Sequence, residues 1–559
     1  MRNVITFGFN ILKKKCKGTR WVPVVIIFLI FHFSFFISGS AFAQRPLDWG
    51  DQLNGTYKNP VLNADYSDPD VIRVDDRYYM VASDFHFMGM QVLESSDMVN
   101  WQVVSQIYRR FDYPGWDSNE HYGGGSWAPA IRHHNGLFYV YFCTPDEGLF
   151  MATAKDARGP WSPLHCVKAV EKWEDPCPFW DDDGQAYLGR SQYGAGPIII
   201  HRMTADGRQL LDDGVTVYTG PVAEGTKILK RNGYYYLIIP EGGVCCGWQT
   251  ALRSRSIYGP YEKRVVLEQG STDVNGPHQG ALVEATDSTW WFYHFQETHP
   301  RGRVVHLQPA RWKDDWPLIG VDIDGNGIGE PVAVWSCPIT PTTSINPITP
   351  ITPIPPIPPI PPITPINPIT PIWQWNHNPV DSAWSYNERS GWLTFHTLPA
   401  DCLKASRNML TQKTVGYESE ATVTIDGSGL HDGDHAGLLC TGKQFMGVGI
   451  CRTEGKLYFY IEQDGQRTLL GRCPKNIVYL RLTIDSERNL HQFATSTNGR
   501  RFTPAGEPFP LRMGYWKGSR IGIFCYTTSS AELNTTTGFT NSLQGGKARF
   551  SSFRYDVTR

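Results

Sequence analysis

The stretch Arg77-Tyr78-Tyr79-Met80-Val81 returns in altered form four more times along the chain. The other copies are Leu137-Phe138-Tyr139-Val140-Tyr141, Gln185-Ala186-Tyr187-Leu188-Gly189, Tyr234-Tyr235-Tyr236-Leu237-Ile238 and Thr289-Trp290-Trp291-Phe292-Tyr293. Aromatic and aliphatic residues of this kind favour β-strands. Measured between Tyr79, Tyr139, Tyr187, Tyr236 and Trp291, the steps are 60, 48, 49 and 55 residues. Such a repeat of short strands predicts radially arranged sheets, so we expect an all-β chain that contains a five-bladed β-propeller.

Candidate site residues precede each of these runs. They stand eleven to thirteen residues before the central aromatic residue, and they are Asp68, Trp127, Asp175, Glu224 and His278. If each repeat is a blade, the five residues occupy equivalent positions, start the innermost strands and point together at the central axis. Two Asp and one Glu at one point oppose each other's ionisation, so the cluster is costly unless it has a use.

The three acids also allow a purely structural interpretation. Asp-Pro pairs cap turns, and Glu224-Gly225 could belong to an ordinary loop. Their matching positions in separate repeats favour chemistry instead. Glycoside hydrolysis needs one carboxylate that activates water and one carboxylic acid that protonates the leaving oxygen. A third carboxylate near the acid would raise its pKa and orient it.

Composition narrows the classes of function. The formal net charge is -2 and no basic face is visible, so we expect no nucleic-acid partner. The 19 Trp residues fit carbohydrate binding and a β-rich core equally well. The Cys residues are irregularly spaced, which does not indicate a disulfide framework. Cys245-Cys246 could form a vicinal disulfide or remain two ordinary thiols, and no Cys/His cluster indicates zinc.

Residues 1–43 have the pattern of a signal peptide. Basic residues up to Arg20 precede an apolar run from Val22 to about Ile37, and Ala41-Phe42-Ala43 supplies a cleavage site. The alternative is an uncleaved membrane anchor, but the run is short for a membrane span. We therefore expect an exported protein, periplasmic or secreted, with no stable membrane association after cleavage.

Three further segments follow the leader. Residues 44–336 carry the five repeats and form the predicted propeller. Residues 337–372 are a Pro/Ile-rich linker in which proline recurs at every third position from Pro347 to Pro371, as suits polyproline II. Residues 373–559 show short alternating runs separated by turns, and this pattern predicts a two-sheet β-sandwich.

Six motifs over about residues 57–335 resemble those of glycoside hydrolase family 43, in the same order. They are Asn59-Pro60-Val61-Leu62 with Tyr66-Ser67-Asp68-Pro69-Asp70, Ser126-Trp127-Ala128-Pro129, Glu174-Asp175-Pro176, Ala223-Glu224-Gly225, Gly276-Pro277-His278-Gln279-Gly280 and Gly302-Arg303-Val304-Val305-His306. The resemblance implies a five-bladed propeller that hydrolyses glycosides with inversion. Gly225-Thr226-Lys227 departs from the Gly-Pro-His of many relatives, which affects the expected shape of the sugar subsite more than the reaction.

The resemblance also implies roles for the three acids. Asp68 would be the general base, Glu224 the general acid and Asp175 the residue that tunes and orients the acid. No cofactor is required for this chemistry. The family often places a residue near a central calcium ion or water cluster at the position of His278. A structural calcium near His278 is therefore expected as one alternative, and a neutral core histidine as the other.

Four residues beside these are candidates for substrate binding. Arg303 matches a family position that helps to bind the terminal sugar, although a plain ion pair is the alternative. Trp127 would form an apolar wall of the pocket. Phe85 and Phe87 could extend that wall or belong to ordinary core packing. His278 completes the predicted substrate-binding set.

The C-terminal region opens with Trp373-Gln374-Trp375-Asn376-His377-Asn378-Pro379, which resembles the concanavalin-A-like sandwich of family 43 β-xylosidases. Such a domain usually packs on the propeller and can lend a loop to the pocket rim. The long linker leaves open that this sandwich hangs free as a carbohydrate-binding module.

The resemblance to family 43 implies an exo-acting β-xylosidase or α-L-arabinofuranosidase. It would release non-reducing-end xylose or arabinofuranose from a plant cell-wall oligosaccharide or polysaccharide, and the C-terminal domain favours β-xylosidase. One alternative is an endo-arabinanase, which needs an open groove across the propeller. Another is a non-catalytic sugar-binding propeller, which the presence of Asp68 and Glu224 disfavours.

Overall fold

Five four-stranded antiparallel sheets follow one another in the first part of the chain, each with its strands in sequence order. They are the five blades of a propeller, so the prediction of an all-β fold with five blades is confirmed. The structure is a computed structural model, and it describes residues 49–118, 120–339, 369–386, 388–529 and 545–558. The predicted leader and most of the predicted linker lie outside the described residues.

The strands of the propeller are short and evenly distributed. After β1 (Thr56–Lys58), the blades contain β2 (Ser67–Val74), β3 (Arg77–Ser83), β4 (Gln91–Ser95) and β5 (Gln102–Gln106); β6 (Trp127–His134), β7 (Leu137–Thr144), β8 (Gly148–Ala154) and β9 (His165–Ala169); β10 (Trp173–Trp180), β11 (Ala186–Gln192), β12 (Ile198–Met203) and β13 (Val215–Tyr218); β14 (Lys227–Arg231), β15 (Tyr234–Glu241), β16 (Trp248–Ser254) and β17 (Glu262–Leu267); β18 (His278–Glu284), β19 (Trp290–Thr298), β20 (Gly302–Lys313) and β21 (Trp316–Ile319). The aromatic runs form the second strand of each blade, as the repeat predicts.

Turn chemistry fixes the inner hairpins. In blade two Asn135 and Gly136 have φ values of 49° and 74°, and in blade four Asn232 and Gly233 have 52° and 73°. Positive φ at both central residues is the geometry of tight hairpins that match strand twist, and Asn-Gly adopts it easily. The first and second strands of these blades therefore pair directly across two-residue turns.

The first strand, β1, joins the two ends of the propeller. β1 pairs antiparallel with β22 (Val334–Ser336), with Tyr57 opposite Trp335. The Tyr57 hydroxyl donates a hydrogen bond to the Leu307 carbonyl at 2.9 Å. Because β1 precedes the first blade and β22 follows the last, this pairing holds the two ends of the propeller together.

Two large sheets form the C-terminal sandwich. An eight-stranded sheet contains β23 (Gln374–Trp375), β26 (Leu398–Pro399), β27 (Asn408–Lys413), β29 (Asp434–Thr441), β30 (Phe445–Thr453), β31 (Lys456–Gln463), β32 (Gln466–Arg472) and β36 (Arg520–Thr527). A seven-stranded sheet contains β24 (Trp384–Ser385), β25 (Leu393–His396), β28 (Glu418–Asp426), β33 (Ile477–Asp485), β34 (Leu490–Ser496), β35 (Thr503–Phe509) and β37 (Lys547–Val557). The helical residues of the described chain are two short 3₁₀ turns, Asp381–Ala383 and Leu403–Ala405. No described helix has the length and apolar character that crossing a membrane requires.

The sandwich packs directly on the propeller. Lys413 of β27 forms an ion pair with Asp84 of the propeller, with 2.7 Å between Nζ and Oδ1, and both side chains are buried. The Met88 amide donates to the Trp375 carbonyl at 2.9 Å. One continuous apolar cluster contains side chains from both parts. The docked arrangement is therefore the observed one of the two that the sequence leaves open.

Candidate active site

Each blade carries an irregularity near the start of its innermost strand. The residue next to the pairing break has a positive φ in every blade: Asp68 53°, Ala128 40°, Asp175 57°, Gly225 61° and Gln279 34°. In four blades the strand register shifts here, as in a β-bulge. In these four blades the bulge changes the direction of the neighbouring side chains, and the predicted site residues stand at these positions.

This geometry corrects the alignment expected from spacing. Asp68 and Asp175 occupy the positive-φ position, whereas Trp127, Glu224 and His278 stand one residue before it. The five residues are therefore not equivalent, because the bulge adds a residue that counting does not reveal. The counterparts of Glu224 in blades one and three are Ser67 and Glu174. Glu174 was not among the predicted site residues. The sign that it belongs to the site is the shift in strand register between Glu174 and Cys177, which the sequence alone does not show.

Asp68 is held by hydroxyls and by an arginine. Its Oδ2 accepts hydrogen bonds from the Ser83 hydroxyl at 2.6 Å and from the Ser67 hydroxyl at 3.0 Å. Its Oδ1 lies 3.3 Å from Nη1 of Arg303. The side chain is 9% exposed. These partners fix the orientation of the carboxylate while leaving an edge for a small molecule such as water.

Asp175 has the densest set of partners. Its Oδ2 accepts a hydrogen bond from the Ser191 hydroxyl and another from the Gly225 amide at 2.8 Å. Its Oδ1 accepts from Nε2 of Gln279 at 2.9 Å. Burial, followed by the charge of Glu224, raises the pKa of Asp175 to about 6, although its hydrogen bonds oppose the shift.

Glu224 contacts a histidine at the mouth of the same cluster. Its Oε1 lies 3.0 Å from Nε2 of His278, which is itself buried. The Glu224 side chain is 20% exposed, more than those of the other acids of the site. It is therefore the acid best placed to meet a bound molecule while a second ionisable group orients it.

Glu174 lies beside these two acids. Nearest oxygens of Glu174, Asp175 and Glu224 all lie within 4.8 Å of one another. Burial, then the charges of Asp175 and Glu224, raise the pKa of Glu174 to about 9. The pKa values of Glu174 and Asp175 are thus both raised, as expected where like charges share a poorly solvated site.

Arg303 connects Asp68 to the sandwich. Its Nη1 donates to the Ser67 hydroxyl at 2.9 Å, and its guanidinium lies 4.7 Å from the centre of the Phe295 ring. The Arg303 amide donates to Oδ1 of Asp65 at 2.9 Å, and the same buried carboxylate accepts from the amide of Gly518. Asp65 therefore fixes the strand that carries Arg303 to a loop of the sandwich.

That sandwich loop forms part of the pocket rim. The Trp516 ring stacks on Phe85 with centroids 6.3 Å apart, and it meets Trp127 edge to face at 5.2 Å. Tyr193 lies 5.7 Å from Trp127 on another side. Trp516 and Tyr193 remain 43% and 48% exposed. Aromatic surfaces of this kind are suited to stacking on sugar rings.

Phe87 has a different environment. It is fully buried, with the guanidinium of Arg520 3.7 Å from its ring centre and Nζ of Lys517 at 4.5 Å. Both cations belong to the sandwich. Phe85, only 4% exposed, is covered by Trp516, so both phenylalanines are packed at the contact between the two domains.

Cys245 and Cys246 are joined as a vicinal disulfide, the first of the two alternatives left open by the sequence. Both residues are exposed, in the turn between β15 and β16. A Cβ added at Gly276 would lie 3.3 Å from the Cys245 carbonyl. The disulfide turn therefore packs against the segment that leads into His278.

Both domains of this chain are similar to domains of known proteins. The model of "Glycosyl hydrolases family 43" matches residues 57–317, and that of "Beta xylosidase C-terminal Concanavalin A-like domain" matches residues 367–556. A protein of Xylanibacter ruminicola, provisionally named a beta-xylosidase, is 61% identical over 480 residues, which cover 86% of this chain and 88% of that protein. The "Beta-xylosidase" of Formosa agariphila is 34% identical over 546 residues with the same two coverages.

The chain belongs to glycosyl hydrolases family 43.

A solved structure agrees with this assignment. The structure named as a bifunctional GH43-CE of Bacteroides eggerthii superposes with a TM-score of 0.76 and 27% identity, over 89% of this chain and 63% of that one. As a family 43 protein the chain is a glycosidase, and the resemblance inferred from its motifs is confirmed.

The expected calcium near His278 can be compared with the side chains around it. Nδ1 of His278 is buried and has no hydrogen-bond partner within the described ranges, while Nε2 faces Glu224. Calcium takes six to eight oxygen ligands. Among the described residues, the cluster able to share a cation is Glu174, Asp175 and Glu224, which does not include His278. These side chains do not fit a calcium ion ligated by His278, although the free Nδ1 suits a water molecule.

Proposed function

We propose that this family 43 protein is an inverting, exo-acting glycosidase that releases xylose or arabinofuranose from the non-reducing end of hemicellulose. The observation that carries the proposal is the meeting of Asp68, Asp175 and Glu224, which come from three blades. Glu224 and Asp175 lie within 4.8 Å of each other, and the charge of Asp68 is near enough to raise the pKa of Asp175.

In this proposal Asp68 is the general base. Ser67, Ser83 and Arg303 orient its carboxylate toward a water molecule on one face of the sugar ring. The water attacks the anomeric carbon while the bond to the leaving oxygen breaks. Because attack and departure occur on opposite faces, the anomeric configuration inverts.

Glu224 is the proposed general acid. It gives its proton to the leaving oxygen, and its exposure at the mouth of the cluster suits contact with the departing group. His278 orients one of its oxygens. Asp175 lies beside it and accepts a hydrogen bond from the Gly225 amide, which fixes the segment that carries Glu224.

The rim favours exo action over the endo alternative. An endo-arabinanase needs a groove that is open across the propeller face. Here Trp516 of the sandwich contacts Phe85 and Trp127 at the rim, so one side of the pocket is walled by a second domain. The names of the two relatives, one a beta-xylosidase and the other provisionally named as one, favour xylose as the released sugar.

Hydrolysis of nitrophenyl β-xyloside beside nitrophenyl α-arabinofuranoside tests the proposal. Asp68→Ala and Glu224→Ala should each lose at least about 100-fold in rate, since each removes a proton-transfer partner. Glu171→Ala, at an exposed position, is the matched control. Proton NMR of the first product should show the inverted anomer. Full activity in either site variant, or a retained anomer, would refute the mechanism.

We also propose that the protein is exported and cleaved after Ala43, on the strength of the leader pattern. N-terminal sequencing of protein recovered outside the cytoplasm should begin at Gln44.

We also propose a calcium ion near His278, with a water molecule between the ion and the imidazole ring. Removal of divalent cations with a chelator should then lower the melting temperature. Asp68 and Glu224 should still catalyse hydrolysis in the protein that stays folded.

A further inference from the structure

Glu174 has no part in the proposed proton transfers, yet its carboxyl group lies in the same pocket. It occupies the position in blade three that Glu224 occupies in blade four and Trp127 in blade two. Its nearest oxygen is within 4.8 Å of those of Asp175 and Glu224. A single sugar hydroxyl between these groups could therefore contact two of them.

The two oxygens of Glu174 have different surroundings. Oε1 accepts a hydrogen bond from the Ala195 amide at 3.2 Å. Ala195 belongs to the loop between β11 and β12 that carries the rim residue Tyr193. Oε2 makes no hydrogen bond to the residues that the structure describes, and the residue as a whole is only 8% exposed. Oε1 thus fixes the loop that carries Tyr193, and Oε2 is available to a ligand.

The groups that face Glu174 are mostly acidic. Asp175 adjoins it on β10, Glu224 precedes β14, Asp68 lies on β2 and the Cys143 thiol on β7. On the neighbouring strand β11, the guanidinium of Arg190 instead covers the Trp173 ring, 3.6 Å from its centre. This environment raises the pKa of Glu174 to about 9. When this carboxyl group is protonated, the proton belongs on Oε2, because Oε1 already accepts a hydrogen bond from the Ala195 amide.

We propose that Glu174 is a substrate-binding residue whose neutral carboxyl group donates a hydrogen bond from Oε2 to a hydroxyl of the sugar in the pocket. The proposal rests on the proposed function and adds a specificity determinant to it. A carboxylic acid kept neutral by its surroundings is an effective hydrogen-bond donor. A site that pairs with a hydroxyl also rejects sugars that lack it, because its own polar group is then left unpaired.

Two substitutions of Glu174 distinguish the effect of its hydrogen-bond donation from the effect of its side-chain volume. In Glu174→Gln the amide oxygen can accept from Ala195 and the NH₂ group can donate, so kcat/KM at pH 7 should stay within about threefold of wild type. In Glu174→Met neither bond is possible, so KM should rise and kcat/KM should fall at least about tenfold. Glu171→Gln is the exposed control. The substrates are the two nitrophenyl glycosides.

The dependence of KM on pH gives a readout that a structural role would not change. Between pH 7 and 10, KM of the wild type should rise more steeply than that of Glu174→Gln, because only the wild type loses its donor by ionisation. Equal KM–pH curves for these two proteins overturn the proposal, as does a Glu174→Met variant with wild-type KM. If Glu174→Met does not fold, the comparison of the two curves decides alone.

Failure of the proposed function would look different. In that case the wild type would hydrolyse neither glycoside. Calorimetric titration of xylose and of arabinose into wild type, Glu174→Gln and Glu174→Met then tests the contact without turnover. Weaker binding of both sugars in Glu174→Met alone supports the proposed hydrogen bond, and equal binding of either sugar by all three proteins refutes it.

Discussion

Trp516 of the sandwich stacks on Phe85 of the propeller, with ring centroids 6.3 Å apart and an angle of 25° between the planes. The two residues come from different domains and distant parts of the chain. Trp516 also meets Trp127, so the sandwich contacts aromatic residues that belong to the candidate active site. The C-terminal domain of this glycosidase is therefore expected to influence substrate binding as well as stability.

Removal of this ring should weaken binding. We expect Trp516→Ala to lower kcat/KM for a xylo-oligosaccharide about tenfold, since aromatic contacts of this kind contribute about 0.5–1.5 kcal/mol beyond their buried area. The melting temperature should change little, because the ring is 43% exposed. Leu469→Ala, an exposed position on β32, is the control. An unchanged kcat/KM in Trp516→Ala would show that the rim does not touch the substrate.

The leaving group should distinguish the two proton-transfer residues. Glu224→Gln should lose at least about 100-fold on xylobiose, whose leaving oxygen needs a proton, but less than about tenfold on dinitrophenyl xyloside, which departs without one. Asp68→Asn should be severely impaired on both, because the attacking water needs its base in either case. Steady-state rates on the two substrates provide the check. Similar losses on both substrates in Glu224→Gln would contradict its role as the acid.

The buried ion pair across the domain interface should matter for stability. Lys413→Met leaves the Asp84 carboxylate buried without its partner, and we expect the free energy of unfolding to fall by about 3–5 kcal/mol. The Lys413 and Asp84 side chains are 4% and 1% exposed. Denaturant unfolding, with probes in both domains, measures the change.

A second interface pair serves as the matched control. Lys404 and Glu120 lie 3.0 Å apart with side chains 38% and 44% exposed. Lys404→Met should cost only about 0–1 kcal/mol, because water screens an exposed pair. Equal losses in the two variants would show that burial of the charge is not the cause.

Glu174 should make stability depend on pH. In the unfolded chain its carboxyl group loses its proton near the ordinary pKa of 4.5, whereas in the folded protein the pKa is raised to about 9. The folded state therefore holds an additional proton through this window, and its stability falls as pH rises across it. Glu174→Gln has no such proton to retain.

The melting temperature of Glu174→Gln should therefore exceed that of wild type by an amount that is near zero at pH 4 and grows toward pH 9. Calorimetry at several pH values checks this. The same series with Glu171→Gln, at an exposed site, should show no trend. A difference between Glu174→Gln and wild type that is constant over the range would mean that the carboxyl group ionises normally in the folded protein.

Sequence spacing located the acids but not their exact alignment. Counting from the aromatic strands placed Asp68 and Asp175 level with Glu224, whereas the structure offsets them by one residue at the bulge. The extra residue of a bulge cannot be recognised by counting residues in a single sequence. Glu174 was missed for the same reason, since its equivalence to Glu224 rests on the positive φ of the residue after each, Asp175 and Gly225.

The amino-acid sequence by itself determined the repeating unit of this protein. The five aromatic strands are local features, so they specify five blades without knowledge of long-range contacts. The motifs around Asp68, Asp175 and Glu224 identify the family. Tertiary structure alone decided that the sandwich docks, that Trp516 reaches the rim and that Glu174 joins the acids. These contacts join residues far apart in the chain, and the burial that raises the pKa of Glu174 exists only after they form.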